Sequence, residues 1–119
     1  MIGKLIALLF LSRDVAHRAH WRTQSYSQHM ALGSFYSDVI ELADSLAEVY
    51  QGRHGIISDI PMLDDDFSGA IDEQLEKHLG VIEKLRYEVI EQSESSMQNI
   101  IDEIVALYLS TLYKLRNLK

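Results

Sequence analysis

Two pairs of polar side chains are spaced so that the members of each pair could bind the same ligand. Asp44 and Glu48 lie four residues apart, and His17 and His20 lie three apart. If both segments are helical, the members of each pair are neighbours on one helix surface. Carboxylate oxygens and imidazole nitrogens together suit iron, manganese or zinc. The spacing allows a metal site, while the alternative is that the acids are solvated and the histidines are satisfied polar side chains.

The composition restricts the other chemistry that this chain could carry. It has 119 residues, no cysteine and a formal net charge of −7. Without cysteine there is no disulfide, no thiolate metal ligand and no cysteine nucleophile. Because nucleic-acid affinity depends on clustered Lys and Arg, the negative charge argues against direct DNA binding. No phosphate-binding loop or Ser-His-Asp arrangement with supporting context appears, so a nucleophilic hydrolase is unsupported.

The length and hydropathy of the chain predict one domain outside the membrane. A chain of this size can bury one substantial core, so residues 1–119 are expected to form a single domain. The apolar run from Leu5 to Leu11 is far shorter than the roughly 20 residues needed to cross a bilayer. It also lacks a small-residue cleavage site. We expect a cytoplasmic protein with no membrane partner.

Long stretches without helix breakers predict that the chain is all-α. Pro61 is the single proline, and Gly52 is predicted to end the second helix. A capping box is predicted at Ser95-Ser96-Met97-Gln98. Apolar residues that recur every three or four positions place the helices at about 2–21, 28–51, 68–92 and 96–118. Two short connections and one long one predict two helical hairpins joined by a long crossover loop, which is the connectivity of a ferritin-like four-helix bundle.

The second predicted helix carries its acids beside its apolar face. At about 100° per residue, Phe35 and Leu46 share the core face, whereas Asp44 and Glu48 lie on its flank. Gly33 falls on the same flank. A small residue there would let a ligand or another chain approach closely.

These positions resemble the Dps branch of the ferritin superfamily. The residues that carry the resemblance are His20-Trp21, then His29, then Asp44-Ser-Leu-Ala-Glu48, which match the Dps pattern HW, H and D-x-x-x-E. The chain is also similar to short Dps-like proteins of unassigned function from tailed phages. The resemblance covers most of the chain.

The resemblance implies a metal site that two chains share. In Dps proteins the ferroxidase centre forms between subunits, with the histidines on one chain and the carboxylates on the other. Carried over by position, His20 and His29 would face Asp44 and Glu48 of a second copy. The implied cofactor is iron, or manganese or zinc in its place, the implied activity is iron oxidation, and the implied partner is the chain itself in a homodimer or higher oligomer.

Three departures from the Dps pattern keep a second hypothesis open. Gly33 stands where the family has another Asp, and His17 is the candidate to replace that ligand. The connection between His20-Trp21 and His29 is three residues shorter than in the family, and the basic N-terminal tail of some members is absent. The alternative is a non-enzymatic helical interaction protein, a phage-type effector or scaffold that keeps the fold without metal chemistry and has a host protein as its partner.

Overall fold

A computed structural model describes residues 1–64 and 69–119, and this part of the chain is all-helical. The helices are α1 (Ile2–Arg22), α2 (Tyr26–His54), α3 (Ile71–Val89) and α4 (Ser95–Asn117). The predicted all-α fold with four helices is confirmed. No helix in these two segments is long and apolar enough to cross a membrane.

The helices pack as a bundle in which each contacts two others. Within the described residues, α1 packs against α2 and α3, and α4 packs against the same two helices, so α1 and α4 are diagonal partners. Ser27 Oγ at the start of α2 donates to the carbonyl oxygen of Leu118, just beyond α4. Arg116 near the end of α4 pairs with Asp72 near the start of α3. These contacts show that α4 runs antiparallel to both α2 and α3.

One apolar core runs through the bundle, because each helix repeats buried apolar residues at helical spacing. The largest side chains in it, each less than 2% exposed, include Leu5, Leu9, Leu32, Phe35, Leu46, Leu75, Ile82, Met97, Ile101, Ile104 and Tyr108.

Some helix ends differ from the predicted ones, because the local backbone conformation and capping hydrogen bonds determine where a helix begins and ends. The second helix continues past Gly52 to His54, and Gly55 ends it with φ +89°, a conformation that favours glycine. It begins at Tyr26, since the Ser25 side chain accepts a hydrogen bond from the backbone N–H of Gln28. The third helix is described from Ile71, and its predicted start at residue 68 lies outside the described residues.

The predicted capping box of the fourth helix is wrong. Ser95 is already helical, and Glu94 is the N-cap residue, whose side chain makes no capping hydrogen bond within the described residues. Gln98 instead turns inward, where its side-chain amide accepts from Arg86 Nε at 2.8 Å and donates to the carbonyl oxygen of Ile90 at 3.2 Å. Gln98 therefore joins the ends of α3 and α4.

The connection after α2 passes close to the start of α1. A Cβ atom added to Gly3 would overlap the carbonyl oxygen of Asp59. Leu63 packs against the hydrophobic core. The glycine is required because the backbone of the connection occupies the space of a side chain.

Candidate functional site

His20 and His29 meet at the turn that joins α1 to α2. Their rings are stacked, with centroids 3.7 Å apart and planes 18° apart. Nδ1 of His20 donates to the carbonyl oxygen of His29 at 2.7 Å, and Nδ1 of His29 donates to the carbonyl oxygen of His20 at 2.9 Å. The shorter connection noted in the sequence thus brings the two imidazoles into direct contact.

These two hydrogen bonds also explain how the turn is closed. His20 lies in the last turn of α1, where carbonyl oxygens have no partner within the helix. Nδ1 of His29 satisfies one of them. The three residues between the helices are fixed by Thr23, whose hydroxyl donates to Gln28 Oε1 and accepts from the backbone N–H of Ser25.

The reciprocal bonds fix the proton positions on both rings. A carbonyl oxygen can only accept, so each Nδ1 must carry hydrogen. In the neutral imidazole the lone pair then resides on Nε2. Neither Nε2 of His20 nor that of His29 makes a hydrogen bond within the described residues. Histidines that bind metal through Nε2 commonly donate the other ring N–H to a backbone carbonyl, as both do here.

Gly33 lies directly against the His20 ring of this stack. It lies one turn after His29, so a ring that reaches the His29 carbonyl oxygen must pass over it. A Cβ atom at position 33 would lie 3.1 Å from Cε1 and 3.4 Å from Nδ1 of His20. The departure from the Dps pattern at this position is therefore coupled to the position of the His20 ring.

His17 belongs to the same aromatic cluster but does not join the stacked pair. Its ring stacks on Tyr36 with centroids 4.0 Å apart and planes 11° apart, and its centroid lies 6.1 Å from that of His20. The Trp21 ring is nearly parallel to the His17 ring at 6.4 Å. Trp21 is 75% exposed, so this cluster opens onto the protein surface.

Asp44 and Glu48 are exposed on α2 and lie far from the histidines of the same chain. Asp44 follows His29 by fifteen residues, which along a helix is about 22 Å. In the described part of the chain, no group of three or more His, Asp or Glu side chains could hold a metal ion. The structure brings His20, His29 and His17 together and leaves the two carboxylates apart, so the predicted two-chain site stays a prediction.

Two buried polar groups were missed by the sequence analysis. His78 is 1% exposed, and its Nδ1 is 2.7 Å from the hydroxyl of Ser12, which is fully buried. Arg86 is 8% exposed and bonds to Gln98 and Asp102. Both His78 and Arg86 fall on the apolar stripe of α3 with Leu75 and Ile82, and a polar residue on such a stripe is the signal that could have identified them.

Comparison with known proteins shows that the chain is similar to a phage protein. It is 26% identical over 115 residues to an uncharacterized 14.6 kDa protein in the mobD-ri intergenic region of Enterobacteria phage T4, covering 92% of this chain and 84% of that protein. The expected similarity to a phage protein is thereby confirmed. No solved structure matches the chain.

A family model matches residues 20–115, which include His20, His29, Asp44 and Glu48. Neither match refers to the Dps branch, so that resemblance stays a prediction. Because the match spans most of the chain, the protein belongs to the family described as "Family of unknown function (DUF5856)".

Proposed function

We propose that this protein binds a divalent metal ion between two copies of itself. In this proposal His20 and His29 of one chain and Asp44 and Glu48 of the other supply the ligands, as the Dps resemblance implies. The observation that carries the proposal is the reciprocal hydrogen bonding of His20 and His29, which uses Nδ1 of each ring and leaves Nε2 as the nitrogen that a neutral imidazole would present to a metal.

The separation of the ligands along α2 supports a site made by two chains. The His29 imidazole lies at the start of the helix, with that of His20 stacked on it from α1, and Asp44 follows His29 by fifteen residues, or about 22 Å along the axis. Two α2 helices that cross antiparallel about a two-fold axis would bring the start of each beside the later part of the other. Such an isologous arrangement generates two equivalent sites from one interface.

The charge distribution of α2 favours the same arrangement. Its first dozen residues contain no acid, whereas Asp38, Glu41, Asp44 and Glu48 follow in its middle and are all exposed. The end of α1, beside the start of α2, contributes Arg18 and Arg22, which are exposed as well. Antiparallel pairing would therefore place acids opposite basic and imidazole groups, and complementary potentials of this kind fix the register of an interface.

The surface beside the histidines has side chains suited to contact with another chain. Trp21, Tyr26 and Met30 are 75%, 77% and 52% exposed. Aromatic residues and Met are enriched where protein surfaces associate. Gly33 and Ser37 lie on the same flank of α2, where small side chains permit close approach.

The ligand set suits iron, manganese or zinc. Two neutral imidazoles and two carboxylates balance the charge of one divalent cation, and their nitrogen and oxygen donors match borderline metals. When bound, such an ion supplies Lewis acidity or, for iron, redox chemistry. The chain's own residues would hold it, and the stacked rings of His20 and His29 would have to turn apart for both Nε2 atoms to face one ion.

Complementation between two inactive variants tests whether the site is shared. Calorimetric titration of the metal-free protein with Zn²⁺ is expected to give one ion per chain, and His29→Ala or Glu48→Ala should each lose this binding. A mixture of the two variants, unfolded and refolded together, should recover roughly a quarter of the parent's sites, because half of the dimers pair unlike chains and each then has one intact site. Glu83→Ala, an exposed change on α3, is the matched control and should bind as the parent does.

Two results would decide against the proposal. If the parent protein binds no Zn²⁺, no Mn²⁺ and, without oxygen, no Fe²⁺, the proposal of a metal site is wrong. The helical interaction protein would then be the remaining hypothesis. Variants that each bind as much metal as the parent would show that the ion lies elsewhere.

A further inference from the structure

An open groove of about 570 Å³ lies between α2 and α4 on the outside of the bundle. Three apolar and three acidic side chains line it, and these are Leu42, Ala106, Leu107, Asp38, Glu41 and Glu103. The two leucines also pack against the hydrophobic core, so they form the floor. The three carboxylates belong to exposed residues and form the rim. The groove therefore combines an apolar floor with a rim of one charge sign.

The acids on this rim have no positive neighbours on their own helices to offset them. The sequence contains no Lys or Arg at residues 26–51 of α2 or at residues 95–113 of α4. Elsewhere on the surface acids are paired, as Asp72 is with Arg116. None of the three rim carboxylates forms an ion pair with any residue that the structure describes. The rim thus presents uncompensated negative charge to solvent.

The groove lies on a different flank of α2 from the proposed metal ligands. Asp38 and Asp44 are six residues apart, which places them about 120° apart around the helix. Gly33, on the flank of Asp44, lies against the His20 ring at the end of α1. Leu42, on the flank of Asp38, lines the groove with residues of α4. An inference about the groove is therefore independent of the metal site.

We propose that this groove binds a cationic amphipathic helix of another protein. An apolar side chain of the partner lies on the floor, and Lys or Arg residues one turn to either side pair with the rim. Burial of the apolar side chain supplies affinity, and the complementary charges fix the orientation of the partner.

The secondary structure of the chain favours a helix as the occupant. A groove between two packed helices receives the side-chain ridge of a third helix, and amphipathic helices are commonly bound in this way. A partner strand would need a sheet edge on which to pair, and the described part of this chain contains no strand. The negative rim in turn selects a helix whose polar residues are basic.

A synthetic helical peptide tests this surface. The probe has Leu at every third or fourth position, Lys on both sides of that apolar stripe, and a fluorescent label. One control peptide has the same composition in shuffled order, and a second has Glu in place of each Lys. Fluorescence anisotropy should show that the protein binds the probe at least about tenfold more tightly than either control. Added NaCl should weaken the binding, because exposed charges are screened by salt.

Two double variants with the same change in net charge show where the probe binds. Glu41→Lys combined with Glu103→Lys should weaken binding of the probe at least about tenfold, because like charges then face each other. Glu83→Lys combined with Glu88→Lys reverses two exposed acids of α3 outside the groove and should bind within about twofold of the parent. Circular dichroism establishes that both variants are folded.

Ala106→Gln distinguishes a groove from a merely negative surface. The change leaves the net charge of −7 unaltered and places a larger polar side chain at an exposed position of the groove. Because the apolar side chain of the probe then loses its contact with the floor, the affinity should fall at least about fivefold. Attraction by charge alone would leave the affinity unchanged.

The results have a direct bearing on the proposal. Tighter binding of the probe than of both controls, with losses confined to the groove variants, supports the docking site. Equal affinity for the probe and the shuffled peptide, equal losses in the two charge-reversal variants, or an unaffected Ala106→Gln variant would overturn it. Self-association of the parent that excludes the probe and is abolished by the Glu41→Lys, Glu103→Lys change would show that a second copy fills the groove, and would overturn it as well.

Discussion

Arg86 and Gln98 exchange hydrogen bonds across the turn between α3 and α4. Arg86 Nε donates to Gln98 Oε1 at 2.8 Å, and Gln98 Nε2 donates to the carbonyl oxygen of Arg86 at 3.1 Å. The guanidinium also donates to Asp102 Oδ1 at 2.7 Å and to the carbonyl oxygen of Gln98 at 2.9 Å. A buried cation is thus compensated by an amide, a backbone carbonyl and a carboxylate at the rim of the bundle.

Replacement of Gln98 by Leu should destabilise the protein considerably. The change removes the acceptor for the buried Arg86 Nε and the donor for the Arg86 carbonyl oxygen, which should cost about 1–3 kcal/mol of unfolding free energy. Urea denaturation measures this loss. Asp102→Ala is the comparison, and because Asp102 is 62% exposed it should cost less than about 1 kcal/mol. Equal losses in the two variants would contradict the assigned role of Gln98.

The stacked histidines should show an energetic coupling. We expect His20→Ala and His29→Ala each to lower the unfolding free energy by about 0.5–1.5 kcal/mol, because each removes one hydrogen bond to a carbonyl oxygen. The double variant should lose less than the sum, by about 0.5–1.5 kcal/mol, because the ring stack is lost in either single variant. The measurement is a double-mutant cycle in EDTA, and strictly additive losses would show that the rings are not stacked in solution.

Two glycine-to-alanine changes in helices should have opposite effects. Gly3→Ala should be destabilising, because its Cβ atom overlaps the carbonyl oxygen of Asp59 and the backbone must move. Gly80→Ala meets no atom of the described residues within 4 Å and should stabilise α3 by about 0.5–1 kcal/mol through helix propensity alone. Thermal unfolding of both variants tests this pair. A stabilised Gly3→Ala variant would mean that the connection does not rest against α1.

Tyr108 should ionise at a higher pH than an ordinary tyrosine does. Burial raises the pKa of this fully buried phenol well above its usual value of 10.0, and the nearby Ser12 hydroxyl opposes this to a smaller extent. The folded state therefore disfavours the phenolate. The stability that this provides is complete below about pH 10 and is lost as the pH rises toward the folded-state pKa.

Tyr108→Phe is expected to remove this part of the alkaline destabilisation. Near neutral pH the change should alter the unfolding free energy by less than about 1 kcal/mol, since no hydrogen bond of ordinary geometry to this phenol oxygen is found in the described residues. Absorbance titration of the phenolates and denaturation at pH 8 and pH 11 provide the measurements. Tyr113→Phe is the control, because Tyr113 is 58% exposed.

The sequence determined the all-helical fold and where its helices lie. Apolar residues such as Leu75 and Ile82 recur at helical spacing. This periodicity follows from the 3.6-residue turn of the helix and is the same whichever element the helix packs against. The ends were less accurately predicted. Gly52 was expected to end α2, yet Gly55 ends it, because the helix continues until the backbone adopts a positive φ.

The sequence also identified His20 and His29 as candidates, but their relation was decided by the tertiary structure. Their stack depends on how α1 meets α2 across a three-residue turn and on the space left by Gly33. The buried positions of His78 and Arg86 likewise follow from the pairing of α3 with α1 and α4. Periodicity shows which residues share a helix face, whereas contacts between side chains on different helices depend on the packing of those helices, which no local pattern specifies.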